Sequence, residues 1–257
     1  MNTALKLQQI ITKFIHRKNQ EITIQTVWVK QRSSMEKIQV LYEDNHVIVV
    51  VKPYRIPSQE DNSNDTDMLT IVKEYIKEKY QKPGNVFVGL VHRLDRVTGG
   101  LMFFAKTSKA ASRLSEQIRT NQIEKEYLAV VHGSLKTPSG QLEDFVKKSS
   151  SKNIVSVCSK HDKNAKKCIL NYHVISRLPD YSLINVHLLT GRSHQIRVQF
   201  SSRGHSIVGD VKYGSAEKLR GHIALWAYKL SFFHPTKKEK MEFTYFPGGH
   251  PFNLFHI

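Results

Sequence analysis

The sequence predicts an α+β fold, and three observations lead there. β-rich runs dominate the second half of the chain, the amphipathic helical stretches fall mainly in the first half, and no sustained β-α-β alternation joins them. A doubly wound parallel sheet needs that alternation and is disfavoured. With 257 residues, 40% of them hydrophobic, the chain has ample material for one large core. No run approaches the roughly 18 apolar residues of a membrane span, and no internal repeat is present.

Taken in order, residues 1–20 read as a basic amphipathic helix that packs on the main domain. Leu7, Ile10, Ile11, Phe14 and Ile15 recur at helical spacing, and no acid precedes Glu21. Lys13 interrupts the apolar stretch and no small-residue cleavage site follows, which argues against a secretory signal. Residues 22–29 follow as a strand and 31–37 as a polar linker, so 1–37 form an extension and 38–257 the main domain. Residues 40–42 and 47–51 are strands around an Asp44-Asn45 turn. Asp67 caps a helix with Met68, Val72, Tyr75 and Ile76 on one face, ended by Pro83-Gly84. Residues 86–91 and 101–105 are strands. Ser108 caps a second helix with Ala111, Leu114 and Ile118 inward, and 127–131 returns as strand. Further strands are expected at 154–158, 168–176, 182–189, 228–233 and 242–246. Trp28, Trp226 and Phe232-Phe233, in strand-like settings, are expected in the core.

Charge narrows the partner. Lys and Arg number 39 against 22 Asp and Glu, a net charge of +17. Such an excess suits a polyanion, with nucleic acid ahead of membrane because no lipid anchor accompanies it. Cys158 and Cys168 make no disulfide scaffold and have no zinc-finger spacing, which points to a reducing compartment, the cytoplasm. The 13 histidines are scattered without ligand spacing, so no metal is expected. Walker A, G-x-G-x-x-G, G-x-S-x-G and H-E-x-x-H are all absent, which removes the usual signals of nucleotide hydrolysis, dinucleotide redox, α/β-hydrolase and zincin chemistry.

Two segments could carry chemistry. In Val91-His92-Arg93-Leu94-Asp95-Arg96-Val97-Thr98-Gly99-Gly100, a carboxylate sits on a short Gly-ended loop between apolar strands, flanked by Arg93 and Arg96. An ionised, partly desolvated Asp can act as nucleophile or base. On spacing alone, a structural salt bridge at a turn is the commoner outcome. The second segment, Leu188-Leu189-Thr190-Gly191-Arg192-Ser193-His194-Gln195-Ile196-Arg197-Val198-Gln199-Phe200, runs from strand through a Gly turn into a helix start. Ser193 as cap, with Arg192 and Arg197, would suit a phosphate. Alone, it is also a basic exposed helix.

Together these segments resemble the RluA-type pseudouridine synthase family, whose hallmark is an H-R-L-D loop followed by T-x-G and an apolar strand. Lys125-Glu126-Tyr127-Leu128-Ala129-Val130 is similar to the family's Tyr-bearing strand, and Gly209-Asp210 with Tyr213-Gly214 to the stretch after its G-R-x-H-Q-I-R element. The elements occur in family order over residues 38–246. The resemblance implies a mixed, largely antiparallel central sheet with a catalytic cleft and flanking helices. It also implies a cofactor-free isomerisation of uridine in structured RNA, ribosomal or transfer. Asp95 matches the catalytic aspartate, which attacks the sugar or assists glycosidic cleavage before uracil rejoins through C5. Arg197 matches its basic partner, and Tyr127 the tyrosine that stacks on the base and takes part in proton removal from C5. Arg93 matches an arginine that enters the stack when the nucleotide flips out, and His92 belongs to the same RNA-binding set. Arg192 and His194 would serve structure or phosphate binding. A monomer is the family expectation.

Three departures stand out. Gly99 occupies a position where the family often carries Ser, which would loosen the loop. Tyr54-Arg55 follows Lys52-Pro53 where a Gly-containing turn is common. The N-terminal region does not resemble the S4-type RNA-binding domain of many relatives. RNA contacts would then fall to the main domain, where residues 145–170 hold seven Lys against Asp162 alone. Lys147, Lys148, Lys152, Lys166 and Lys167 are candidate phosphate contacts on a hairpin or pair of loops over the sheet; a solvated surface loop explains the same composition. The competing functional class is a non-catalytic RNA-binding or ribosome-assembly factor with this fold, against which Asp95, Tyr127 and Arg197 stand intact. A DNA-binding protein lacks support, for no helix-turn-helix, zinc-finger or basic-zipper pattern occurs.

Overall fold

A computed structural model describes residues 25–30, 35–149 and 153–257, with side chains from Ile38 onward. The helix expected over 1–20, the Trp28 side chain and Lys152 lie outside the described residues.

β1 (Gln25–Lys30), β2 (Met35–Glu43) and β3 (Val47–Lys52) form an antiparallel meander. Asp44 builds the β2–β3 turn by accepting from the backbone N–H groups of His46 (2.7 Å) and Val47 (2.8 Å). β2 starts inside the expected linker, because pairing with β1 (Lys30 opposite Met35) draws the polar residues into the ladder. α1 (Met68–Lys79) follows, its Asp67 cap accepting from Leu69 and Thr70 N–H, with Met68, Ile71, Val72 and Ile76 buried. The expected strand over 86–91 shrinks to β4 (Gly89–Leu90). β4 meets β5 (Gly99–Ala105) only at Phe104 and Ala105, while β11 (Leu225–Phe233) meets it at Gly99 and Gly100. α2 (Ser108–Arg119) is capped by Thr107, one residue earlier than expected.

The rest is mainly sheet: β6 (Glu124–His132), β7 (Ser139–Ser149), β8 (Ile154–Cys158), β9 (Lys166–Arg177), β10 (Tyr181–Leu188) and β12 (Lys240–Thr244). β7 escapes sequence reading because only Leu142 and Val146 of its side chains are buried. The described strands make one sheet in the order β1-β2-β3-β5-β11-β6-β10-β9-β7-β8, with β12 on β11 and β4 on β5. Its pairings are antiparallel except β5 with β11. The mixed, largely antiparallel sheet is therefore present as expected. β3 and β5 are buried throughout, each apolar side chain contributing about 1.5–3 kcal/mol of transfer energy. Trp226 and Phe232 lie in the core, whereas Phe233 is 40% exposed.

α3 (Gln195–Ser201) is short and buried from Gln195 through Phe200. Ser193 does not cap it. The cap position is His194, in the left-handed region (φ 51°) with no side-chain cap bond. Gln195 secures the turn instead: its Oε1 accepts from Thr190 Oγ1 (2.8 Å) and Arg192 N–H (3.0 Å), and its Nε2 donates to Ile169 O (3.0 Å).

Candidate active site

Asp95 lies on the loop between β4 and β5, its side chain 30% exposed. The backbone around it is fastened on both sides. Thr98 N–H donates to Asp95 O (3.0 Å), and Arg55 N–H to Arg96 O (2.8 Å). Ser58 Oγ donates to Leu94 O (2.7 Å) and accepts from Leu94 N–H (3.0 Å). Lys52 is fully buried, and its ammonium donates to the carbonyls of Pro53 (2.8 Å), Arg96 (3.3 Å) and Thr98 (2.8 Å). A carboxylate on a loop so held is oriented before any substrate arrives.

The glycines that end the loop permit close strand packing. Gly100 has φ +119°, and a Cβ there would lie 2.3 Å from Ala227 O; one on Gly99 would lie 2.2 Å from Trp226 Cζ3. Gly99 therefore tightens the loop's root rather than loosening it. Ala227 also pairs with Tyr127, so Gly100, Ala227 and Tyr127 line up across β5, β11 and β6. Tyr127 is 6% exposed, and burial, then the charge of Asp95, push its phenol well above the ordinary range.

α3 delivers Arg197 to this point. Its NH1 donates to Asp95 Oδ2 at 3.1 Å. Its Nε and NH2 hold Asp210 in a bidentate pair, at 2.7 Å to Oδ2 and 2.8 Å to Oδ1. Burial works against the guanidinium charge, but the bonds and charge of Asp210, then Asp95, outweigh it and raise the Arg197 pKa. The Tyr213 ring packs beneath, its centroid 4.9 Å from the guanidinium carbon. His194 Nε2 is 3.9 Å from Asp95 Oδ2, and its Nδ1 is 2.8 Å from Tyr213 Oη. Because Val155 N–H donates to that oxygen (2.9 Å), the phenol proton is free to go to Nδ1, leaving the Nε2–H toward Asp95. Burial lowers the His194 pKa; Asp95 opposes this, while Arg197, Lys212 and Lys148 reinforce it.

The structure thus gathers Asp95, Arg197, Tyr127 and His194. His92 is placed differently: its ring is buried, lies tilted against Phe103 (centroids 4.5 Å) and accepts Phe103 N–H at Nε2 (3.1 Å). Burial, with help from Lys125, pushes its pKa down to about 3. Arg93 is exposed on the same loop as Asp95. Arg192 is exposed and donates from Nε to Lys167 O (3.0 Å). Lys147, Lys148, Lys166 and Lys167 are exposed on β7 and β9, with Lys167 paired to Glu143 (2.7 Å). Val146, Val155, Cys168, Val198 and Tyr213 form a small cluster that seats this lysine-rich region against α3. Sequence reading assigned no role to Asp210, Tyr213, Ser58 or Lys52. The first two lie within the stretch 209–214, where Asp210 as the one acid is the available signal. Among the described residues, no group of three or more His, Cys, Asp or Glu could hold a metal.

Comparison with known proteins bears on this geometry. Residues 46–202 match a family model described as RNA pseudouridylate synthase. An uncharacterized RNA pseudouridine synthase of Bacillus subtilis, YjbO, is 35% identical over 210 residues, which span 80% of this chain and 71% of that protein. Ribosomal large subunit pseudouridine synthase D of Zymomonas mobilis is 31% identical over 217 residues, 80% of this chain and 68% of that one. The solved structure of human RNA pseudouridylate synthase domain containing 4 superposes with a TM-score of 0.70 at 22% identity, over 84% of this chain and 91% of that one; this likeness concerns the fold alone.

Proposed function

The chain belongs to the RluA-type family of RNA pseudouridine synthases, and from that membership we propose that it converts specific uridines of structured ribosomal or transfer RNA to pseudouridine, with Asp95 as the catalytic carboxylate. The observation that carries the assignment is the line Asp95–Arg197–Asp210 beside Tyr127. Asp210 takes two of the three guanidinium nitrogens and leaves the third for Asp95, which orients the partly buried carboxylate.

The reaction is an isomerisation, so its atoms balance within one nucleoside. The target leaves its helix, at a cost on the order of a few kcal/mol. Arg93, exposed on the same loop as Asp95, enters the vacated stack. Asp95 attacks the sugar or assists departure of the base as the C1′–N1 bond breaks. Uracil turns, C5 bonds to C1′, and the C5 proton is lost while N1 gains one. Tyr127, held as a neutral phenol, suits stacking under the ring better than accepting that proton. His194 and Arg192 position the turn before α3, and His92 positions the catalytic loop from within. Lys147, Lys148, Lys166 and Lys167 meet phosphates. Residues 38–257 act as the catalytic unit and 1–37 as an extension, in a cytoplasmic monomer. No helix among the described residues is long and apolar enough to cross a membrane. A non-catalytic assembly factor has no chemical need of an aligned Asp95, Arg197 and Asp210.

The test is tritium release from ribosomal and transfer RNA labelled at C5 of uridine. Wild-type protein is expected to release tritium. Asp95→Ala is expected to release none while binding RNA within severalfold of wild type. A folded Asp95→Ala protein with full activity removes Asp95 from the mechanism, and no release by wild type from either RNA counts against the reading.

A further inference from the structure

Lys125 is half-buried on β6 and takes no part in the contacts described above. It lies on β6 two residues before Tyr127, so the two side chains leave the same face of the strand. The neighbouring acids are engaged elsewhere: Glu124 with Ser231 and Lys240, Glu126 with Asn185, Tyr228 and Lys229. Among the described residues, no hydrogen bond or ion pair is made by Lys125. Its ammonium is tucked under the turn 190–192, where a Cβ on Gly191 would sit 3.8 Å from Nζ. Its charge also reaches His92, at the root of the catalytic loop. Nζ therefore lies beside the segment that delivers Arg197, on the strand face that carries Tyr127. Burial lowers its pKa, and no acid offsets the effect. A half-buried ammonium without a counter-charge is unfavourable in the free protein and is relieved by a ligand that supplies one.

An RNA substrate offers two sources of negative charge. One is the phosphodiester; the other is the pair of uracil carbonyl oxygens, which gain charge when the base departs with the bonding electrons. Position selects between them. Lys147, Lys148 and Lys166 are exposed where a backbone arrives from solvent, whereas Lys125 is beneath a turn beside the proposed stacking ring of Tyr127. We propose that Lys125 is a further catalytic residue, whose ammonium faces the carbonyl oxygens of the flipped uracil and stabilises the charge they take up as the C1′–N1 bond breaks. This rests on the uridine-isomerase reading above.

The experiment uses C5-tritiated RNA on which wild-type protein is active, under single-turnover conditions with saturating enzyme, comparing Lys125→Met and Lys125→Arg. Lys125→Met is expected to slow release about 100-fold, the scale of losing one charge-stabilising donor. Its RNA Kd should stay within threefold of wild type, with an unchanged salt slope. Lys125→Arg should recover part of the rate. A Lys125→Met rate within threefold of wild type overturns the proposal. So does weakened binding with a shallower salt slope and an unchanged saturating rate, which marks a phosphate contact. Equal loss in both variants with a lowered Tm marks packing and also overturns it. Wild-type inactivity on every RNA defeats the isomerase reading and this inference with it; an active wild type with an indifferent Lys125→Met defeats this inference alone.

Discussion

Arg197 and His92 hold the same carboxylate in place by opposite means. Arg197 is a buried charge kept charged by two acids, while His92 is a buried base kept neutral because none is near. The second arrangement has a measurable consequence. With a folded pKa of about 3 against an ordinary 6.5, His92 is neutral in both states above pH 6.5 and contributes no pH dependence there. Below that, the unfolded chain takes up a proton that the folded chain refuses, so stability falls toward pH 3 by up to about 1.4 kcal/mol per pH unit. His92→Asn can still accept the Phe103 N–H but cannot titrate. It is expected to lower stability at pH 7 and to flatten the urea-unfolding free energy between pH 6.5 and 5. Parallel curves for variant and wild type would show that His92 titrates normally. Asp95, Tyr127 and Arg197 were legible in the sequence because each sits in a local run of ordered motifs. Lys52 and Ser58 were not: their hydrogen bonds span 44 and 36 residues, and nothing in the local pattern marks either as a loop fastener.

Among the elements, β5 and β11 show how the loop's root is set by backbone proximity. The strands run parallel only at Gly99–Trp226 and Gly100–Ala227, and the Trp226 ring fills the space a side chain at 99 would need. Gly99→Ser must displace that ring, whose Nε1–H is held by Tyr245 O at 2.9 Å. Such overpacking costs about 1–3 kcal/mol and shifts the segment that begins four residues after Asp95. Gly99→Ser is expected to lower both the denaturation midpoint and turnover. Adding Trp226→Leu should make the pair less destabilising than the sum of the single changes, since the residues touch. Strict additivity in urea melts would show that the ring yields freely. The same elements explain what sequence reading could reach. Buried β3 and β5 and the Asp67 cap were legible as apolar runs and a capping residue. β7, with its mostly polar side chains, and the truncated β4 were not, because distant partners decide both.

For the whole molecule, the net charge of +17 divides into parts with different work. Strand order was beyond sequence reading, since β11 inserts between β5 and β6 from some 90 residues away. That crossover leaves β7, β8 and β9 as a lysine-rich wing at one end of the sheet. Its cluster with Val198 and Tyr213, and the line Val155–Tyr213–His194, join the wing to the Asp95–Arg197 site. Lysines of the wing that meet phosphates should govern affinity and its salt dependence, because each neutralised phosphate releases counterions. The lysines are not equivalent, however. Lys167 is already paired to Glu143 at 2.7 Å, whereas no ion pair of Lys147 or Lys166 is present among the described residues. Lys147→Ala with Lys166→Ala is expected to weaken RNA binding and to make the slope of log K against log salt shallower, by about 0.7–0.9 for each phosphate no longer neutralised. Lys167→Ala alone should change the slope less, since it also frees a carboxylate whose charge was already balanced. Filter-binding isotherms at several salt concentrations measure both. If the double substitution leaves the slope unchanged, the wing is a solvated surface and the polyanion is held elsewhere on the sheet.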